Sequence, residues 1–242
     1  MLTDLRAAFS LLTRLPIKLD TTPDFARAVW AFPIVGLIVN GIGTLVYWAA
    51  HQAGMPPLLA AAWTLAATIL LTGALHEDGL SDTADGFGGG ATKARKLEIM
   101  RDSRIGTYGA LALVITSLTR TTAIAALPHP LALITGGLLG RAAMILPLLL
   151  LPPAREDGLS AAVRRPPTPT AAAGLTLAAI ATLLLLPTRP ALVAILAAAV
   201  TTLLLTVLAR SQIGGHTGDV LGATEVLTEC AVLTVIAASV TG

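Results

Sequence analysis

Charge is what this chain lacks most. Only 12% of its 242 residues are Asp, Glu, Lys or Arg, about half the roughly 25% of a soluble domain. So little charge excludes a disordered chain and a nucleic-acid-binding domain. Aromatics make up 4%, and the one cysteine is Cys230. A single cysteine excludes an intrachain disulfide and a cysteine-based metal site. What is there instead is apolar: 55% hydrophobic residues and a mean hydropathy of +0.79. A soluble domain of this size still shows much of its surface to water and could not hide so much apolar area. The composition therefore predicts an all-α, polytopic integral membrane bundle in a lipid bilayer, read as one domain over 1–242, with no nucleic-acid partner. It leaves a homo-oligomer open.

Seven apolar blocks are candidate spans: Trp30–Ala50, Leu58–Leu75, Thr107–Leu127, Leu131–Leu151, Thr170–Leu186, Ala191–Ala209 and Val226–Val240. About 20 helical residues cross ~30 Å of hydrocarbon, so six to seven transmembrane helices are expected. The first and last blocks are the weakest. Outside the spans, alternate loops carry thirteen Lys and Arg against one. By the positive-inside rule the N-terminus and the long polar loops face the cytoplasm, and the protein sits in the plasma membrane. Seven spans would put the C-terminus outside. The segment 1–28 is amphipathic: Leu2, Leu5, Phe9 and Leu12 recur at helical spacing, with Arg6, Ser10 and Arg14 opposite. It reads either as an interfacial helix or as a cap on the bundle. Its early charges do not fit a signal peptide.

Eleven of the thirty charged side chains crowd into residues 77–104. Within the acidic run Leu75–Gly90, Asp78, Asp82 and Asp85 stand at i, i+4 and i+7, about 60° of arc on a helix. Carboxylates so placed repel one another. A hard cation such as Mg²⁺ offsets that repulsion with one or two carboxylates plus substrate phosphates. The bland alternative is a solvated helix end. By the repulsion argument, loss of Asp82 or Asp85 should cost no stability. The basic run that follows, Lys93–Gly109, carries Arg101, Asp102, Ser103 and Arg104. Arg101 and Arg104 suit phosphate by fork geometry, and Asp102 answers to a metal or holds an arginine. The alternative is a basic stretch meeting anionic headgroups. An acidic face followed by a basic one over 76–106 points to a metal-assisted phosphate site.

Two further islands, Ala154–Ser160 and Ile213–Glu225, fall on the same expected side; the second surrounds His216 and Asp219 with glycines, Gly215 among them. Inside the spans, Arg120 and Arg141 must face the bundle interior. Arg141 either reaches a phosphate or pairs with Glu225 or Glu229.

These motifs resemble the cobalamin 5′-phosphate synthase (adenosylcobinamide-GDP ribazoletransferase) family. The segments that carry the likeness are Leu-His-Glu-Asp-Gly-Leu-Ser-Asp-Thr-Ala-Asp-Gly (75–86), Ile-Met-Arg-Asp-Ser-Arg-Ile-Gly-Thr-Tyr-Gly (99–109), Gly-Arg-Ala-Ala-Met (140–144), Ala-Arg-Glu-Asp-Gly-Leu (154–159) and Gly-Gly-His-Thr-Gly-Asp-Val-Leu-Gly-Ala (214–223), in that order. The resemblance implies a Mg²⁺-dependent membrane transferase that joins adenosylcobinamide-GDP to α-ribazole or its 5′-phosphate and releases GMP. On that footing Asp78, Asp82, Asp85 and Asp219 are the metal candidates. Arg101, Ser103, Arg104, Arg141, Gly215 and His216 are the substrate-binding candidates, and His76, Asp85 and Asp102 the catalytic ones, with His76 or Asp85 as the base. Asp82-x-x-Asp85-Gly86 also opens the pattern of the CDP-alcohol phosphotransferases, but Gly89-Gly90 replaces their Ala-Arg and their later aspartate pair is missing. A cation or cobinamide transporter would hold its carboxylates near the midplane rather than at span ends.

Overall fold

The computed structural model of the chain describes residues 1–19, 22–127, 129–155 and 165–239. Among these every regular element is helical, and the one β-bridge joins Pro153 to His216. Helices satisfy their own backbone polar groups, as hydrocarbon requires. In chain order they are α1 (Leu2–Leu12), α2 (Phe25–Ala28), a 3₁₀ turn (Val29–Ala31), α3 (Phe32–Gln52), α4 (Pro57–Thr72), α5 (Leu75–Gly89), α6 (Lys93–Ile99), α7 (Thr107–Ala125), α8 (Ala132–Ala143), α9 (Ile145–Leu150), α10 (Thr168–Leu185), α11 (Thr188–Ile213) and α12 (Gly218–Ala238).

Six stretches are long and apolar enough to cross a membrane: Phe25–Gln52, Thr107–Ala125, Ala132–Leu150, Thr168–Leu185, Thr188–Ile213 and Gly218–Ala238. They coincide with six of the seven expected blocks, and the chain is a multi-pass membrane protein. The second block differs. Helix α4 stops at Thr72, and α5 leaves it at 90°, so a seventh span exists only if this bent pair counts as one. Gly73 (φ 67°) and Ala74 (φ 58°) are both left-handed. Glycine adopts that conformation freely. For alanine it costs about 1–2 kcal/mol. The acidic segment is thus a separate helix, not an extension of α4.

Helices α8–α9 and α12 are mostly buried and form the centre; α7, α10 and α11 are mostly uncovered and form the rim. Rim residues such as Leu118, Leu184 and Leu204 point outward, toward lipid. Central helices approach closely through small residues: a Cβ on Gly36 of α3 would lie 2.0 Å from the Gly137 carbonyl oxygen of α8. Such contacts give helices their packing area where lipid removes the hydrophobic drive. The hydroxyls of Thr182, Thr202 and Thr206 donate to carbonyls four residues back and so stay satisfied.

The amphipathic N-terminal helix forms, and its apolar side meets the bundle. Ala7, Ala8 and Leu12 of α1 share a core with Phe32, Val35, Ile145 and Leu148. Trp30 donates its indole N–H to Asp4 (3.3 Å), which also pairs with Arg27 (3.5 Å). One end of the bundle collects the polar islands. The Arg14 amide donates to the Leu71 carbonyl at 2.8 Å, and Lys96 of α6 to Gln212 of α11. Residues 152–154 are clasped to His216 by two backbone bonds of 2.8 and 2.9 Å. In the island Ala154–Ser160, Glu156 to Ser160 lie outside the described residues.

Candidate functional site

The site is built where α5 crosses the start of α12. Gly79 makes the crossing close: a Cβ there would lie 2.8 Å from the Asp219 carbonyl oxygen. On the opposite helix, a Cβ on Gly222 would lie 3.0 Å from the His76 carbonyl oxygen. This brings Asp219 beside the α5 carboxylates. Burial and the charges of Asp78, Asp219 and Asp85 push the Asp82 carboxyl up to about 7. Burial is the larger cause, and the repulsion read from the sequence adds to it, now with Asp219 as a contributor. Arg155 answers part of it, reaching Asp219 at 3.1 Å. Arg155 was not singled out from the sequence; the clasp of residues 152–154 on His216 is what delivers it.

Asp78 and Asp82 share a cleft of about 420 Å³ with Arg101, Asp102, Ser103 and Arg104. The acidic and basic runs therefore meet in space. Arg104 forks onto Asp102, with Nε–Oδ1 at 3.0 Å and Nη2–Oδ2 at 2.6 Å. Those hydrogen bonds hold the Asp102 carboxyl down at about 2. Of the two roles open to Asp102, the structure shows it holding an arginine. Asp85 is nearby but differently engaged. It accepts the Gly106 amide at 2.7 Å and the Gly109 amide at 2.8 Å, and so caps the N-terminus of α7. A Cβ on either glycine would fall 2.4 Å from an Asp85 carboxylate oxygen, which explains Ile-Gly-Thr-Tyr-Gly as a motif. Among the described residues, no three His, Cys, Asp or Glu side chains converge as a ready-made metal cage.

Three expected substrate residues lie elsewhere. Gly215 and His216 line neither this cleft nor a smaller one between α1, α5 and the start of α12. They form the clasp: a Cβ on Gly215 would stand 2.3 Å from the Pro152 carbonyl oxygen. His216 is buried, which lowers its imidazole to about 4, so it stays neutral. Arg141 sits inside the bundle in an ionic chain. It reaches Glu225 at 2.5 Å and Asn40 at 3.4 Å; Asn40 donates to Glu229 at 2.6 Å; Arg120 pairs with Glu229 at 3.3 Å and Glu77 at 2.8 Å. The ion-pair alternative for Arg141 describes its contacts. Asn40 was missed, although a lone amide within an apolar block was the available signal. His76 is 2% exposed, with Nδ1 3.7 Å from Glu225 and, among the described residues, no partner for Nε2.

Fold and site together define a multi-pass helical membrane protein with an acidic and basic cleft at one end of its bundle. The family model described as cobalamin-5-phosphate synthase matches residues 4–237, and the chain belongs to that family. It is similar to proteins named adenosylcobinamide-GDP ribazoletransferase. In Bradyrhizobium diazoefficiens the identity is 46%, covering 98% of this chain and 94% of the relative. In Mesorhizobium japonicum it is 43%, covering 97% and 93%. In Azorhizobium caulinodans it is 43%, covering 96% and 94%. No solved structure matches. The chain is accordingly a transferase of cobalamin synthesis.

Proposed function

We infer that this transferase joins adenosylcobinamide-GDP to α-ribazole, or its 5′-phosphate, at the cytoplasmic face of the plasma membrane. A ribose hydroxyl oxygen bonds to the cobinamide-linked phosphorus, the bond from that phosphorus to GMP breaks, and the hydroxyl proton leaves to a base. The observation that carries this reading is the single cleft holding Asp78 and Asp82 opposite Arg101 and Arg104. Phosphoryl transfer asks for positioning and charge neutralisation more than covalent help.

The donor set fits Mg²⁺. Asp78, Asp82 and Asp219 are hard oxygen donors, and Asp78 and Asp82 face one cleft. Among the described residues no three such side chains converge, so one or two of these carboxylates would hold the ion. Bound there, Mg²⁺ supplies neutralisation of the pyrophosphate charge. Arg101 and Arg104 take phosphate charge, Ser103 lies beside them, and Asp102 positions Arg104. His76 suits the base better than Asp85, because its Nε2 has no partner among the described residues while both Asp85 oxygens accept amides.

The test is GMP release from membranes given adenosylcobinamide-GDP and α-ribazole or its 5′-phosphate, with CDP-diacylglycerol plus an alcohol as control. Turnover should stop in EDTA and return with Mg²⁺. Release that persists in chelator ends the metal reading, and activity only with the control pair ends the substrate reading.

A further inference from the structure

Asp78 lies on the rim between two clefts of different character. One holds Arg101 and Arg104. The other, about 210 Å³, opens between α1, α5 and the start of α12. Its walls include Leu11, Met144 and Leu221, and its polar side includes His76 and Asp219. Resting on the ribazole-transfer reading above, we propose that this second cleft seats the acceptor nucleoside. Its fused aromatic base lies against Leu11, Met144 and Leu221, and its ribose faces His76 and Asp219, beside Asp78 where the clefts meet.

Three observations carry this. The first is size and polarity. A corrin ring is far too large for such a cleft, and guanine would leave its amide and amino groups facing apolar walls. A benzimidazole has no exocyclic polar group and gives up only the hydrogen bond of its one unsubstituted ring nitrogen there. The second is His76, whose buried Nε2 has no partner among the described residues although the residue lines the cleft. A buried polar atom left without a partner asks for one, and a ribose hydroxyl supplies it. The third is Gly218. It lines the cleft, its φ is not left-handed, and among the described residues a Cβ added there would meet nothing within 4 Å. Larger side chains at 218 therefore enter the cleft without straining the backbone. The seat also gives α1 a task beyond contact with lipid: it closes one wall of the site.

Gly218→Leu should fill the seat. In vesicles, with the other substrate saturating, it should raise KM for α-ribazole about tenfold or more and leave KM for adenosylcobinamide-GDP within about twofold. Leu11→Ala, which removes wall rather than adding bulk, should raise the same KM more weakly. Equilibrium dialysis of α-ribazole alone against purified protein gives a readout independent of turnover: the wild type should bind and Gly218→Leu should not. No binding by the wild type, equal binding by both, or a KM rise that falls on adenosylcobinamide-GDP overturns the seat. A wild type that binds α-ribazole, loses it in Gly218→Leu, and yet releases no GMP overturns the transfer reading and leaves the seat standing.

Discussion

Asp82 and Asp85 differ by one helical turn and by what their carboxylates touch. Asp82 stands among like charges, whereas Asp85 accepts two amides at the head of α7. Asp82→Asn should therefore abolish GMP release with no loss of stability. Asp85→Asn should cost about 1–3 kcal/mol, because an amide group cannot accept both N–H donors. The expectation that neither loss costs stability holds only for a residue without such bonds. Thermal unfolding in detergent separates the two. The pH dependence has a definite sign. A carboxyl at about 7 in the folded state, against 3.8 for the free group, keeps its proton where the unfolded chain has lost it. Metal-free protein should then become less stable as pH rises from about 4 to 7. Mg²⁺ should oppose that decline, and Asp82→Asn should remove it. A melting temperature flat across this range in metal-free wild type would refute the raised carboxyl.

At the scale of elements, the joint between α4 and α5 decides whether the site exists. The pattern of Asp78, Asp82 and Asp85 was legible because helical spacing is a local property. The turn before it was not. Gly73 alone signals a helix end, but a second left-handed residue at Ala74 has no sequence signature. Neither does the place of Arg155, which depends on a bridge between residues far apart in the chain. Gly73→Ala should destabilise by about 1–2 kcal/mol from conformation alone, and more because its Cβ would meet the Arg14 side chain at 2.2 Å. Ala74→Gly should be neutral to slightly stabilising, since relief of strain offsets the added freedom of the unfolded chain. Unfolding curves of the two variants check this; equal losses would mean that α5 does not depend on the joint.

The whole molecule has a side to declare. Ser103 and Ser211 are exposed at the end that carries the clefts, whereas Ser81 is buried against Gly109 and would report only its burial. With Cys230 changed to Ala, cysteines placed at 103 and 211 should resist an impermeant reagent outside intact cells. A cysteine at Thr188, which is exposed at the start of α11, should react. Labelling at 103 or 211 would reverse the orientation and move the clefts out of reach of cytoplasmic substrates.

The ionic chain inside the bundle also bears on how the protein is made. Arg120 has a carboxylate partner, Glu77, that is synthesised before it, but the carboxylate that Arg141 contacts, Glu225, belongs to α12. During translation α8 therefore enters the bilayer with a guanidinium whose counter-charge is still about eighty residues from emerging, a costly state in hydrocarbon. The newborn chain must leave Arg141 at the translocon or in contact with water until α12 arrives. Released chains that end before α12 should consequently be incompletely inserted and cleared by membrane quality control faster than the full-length chain.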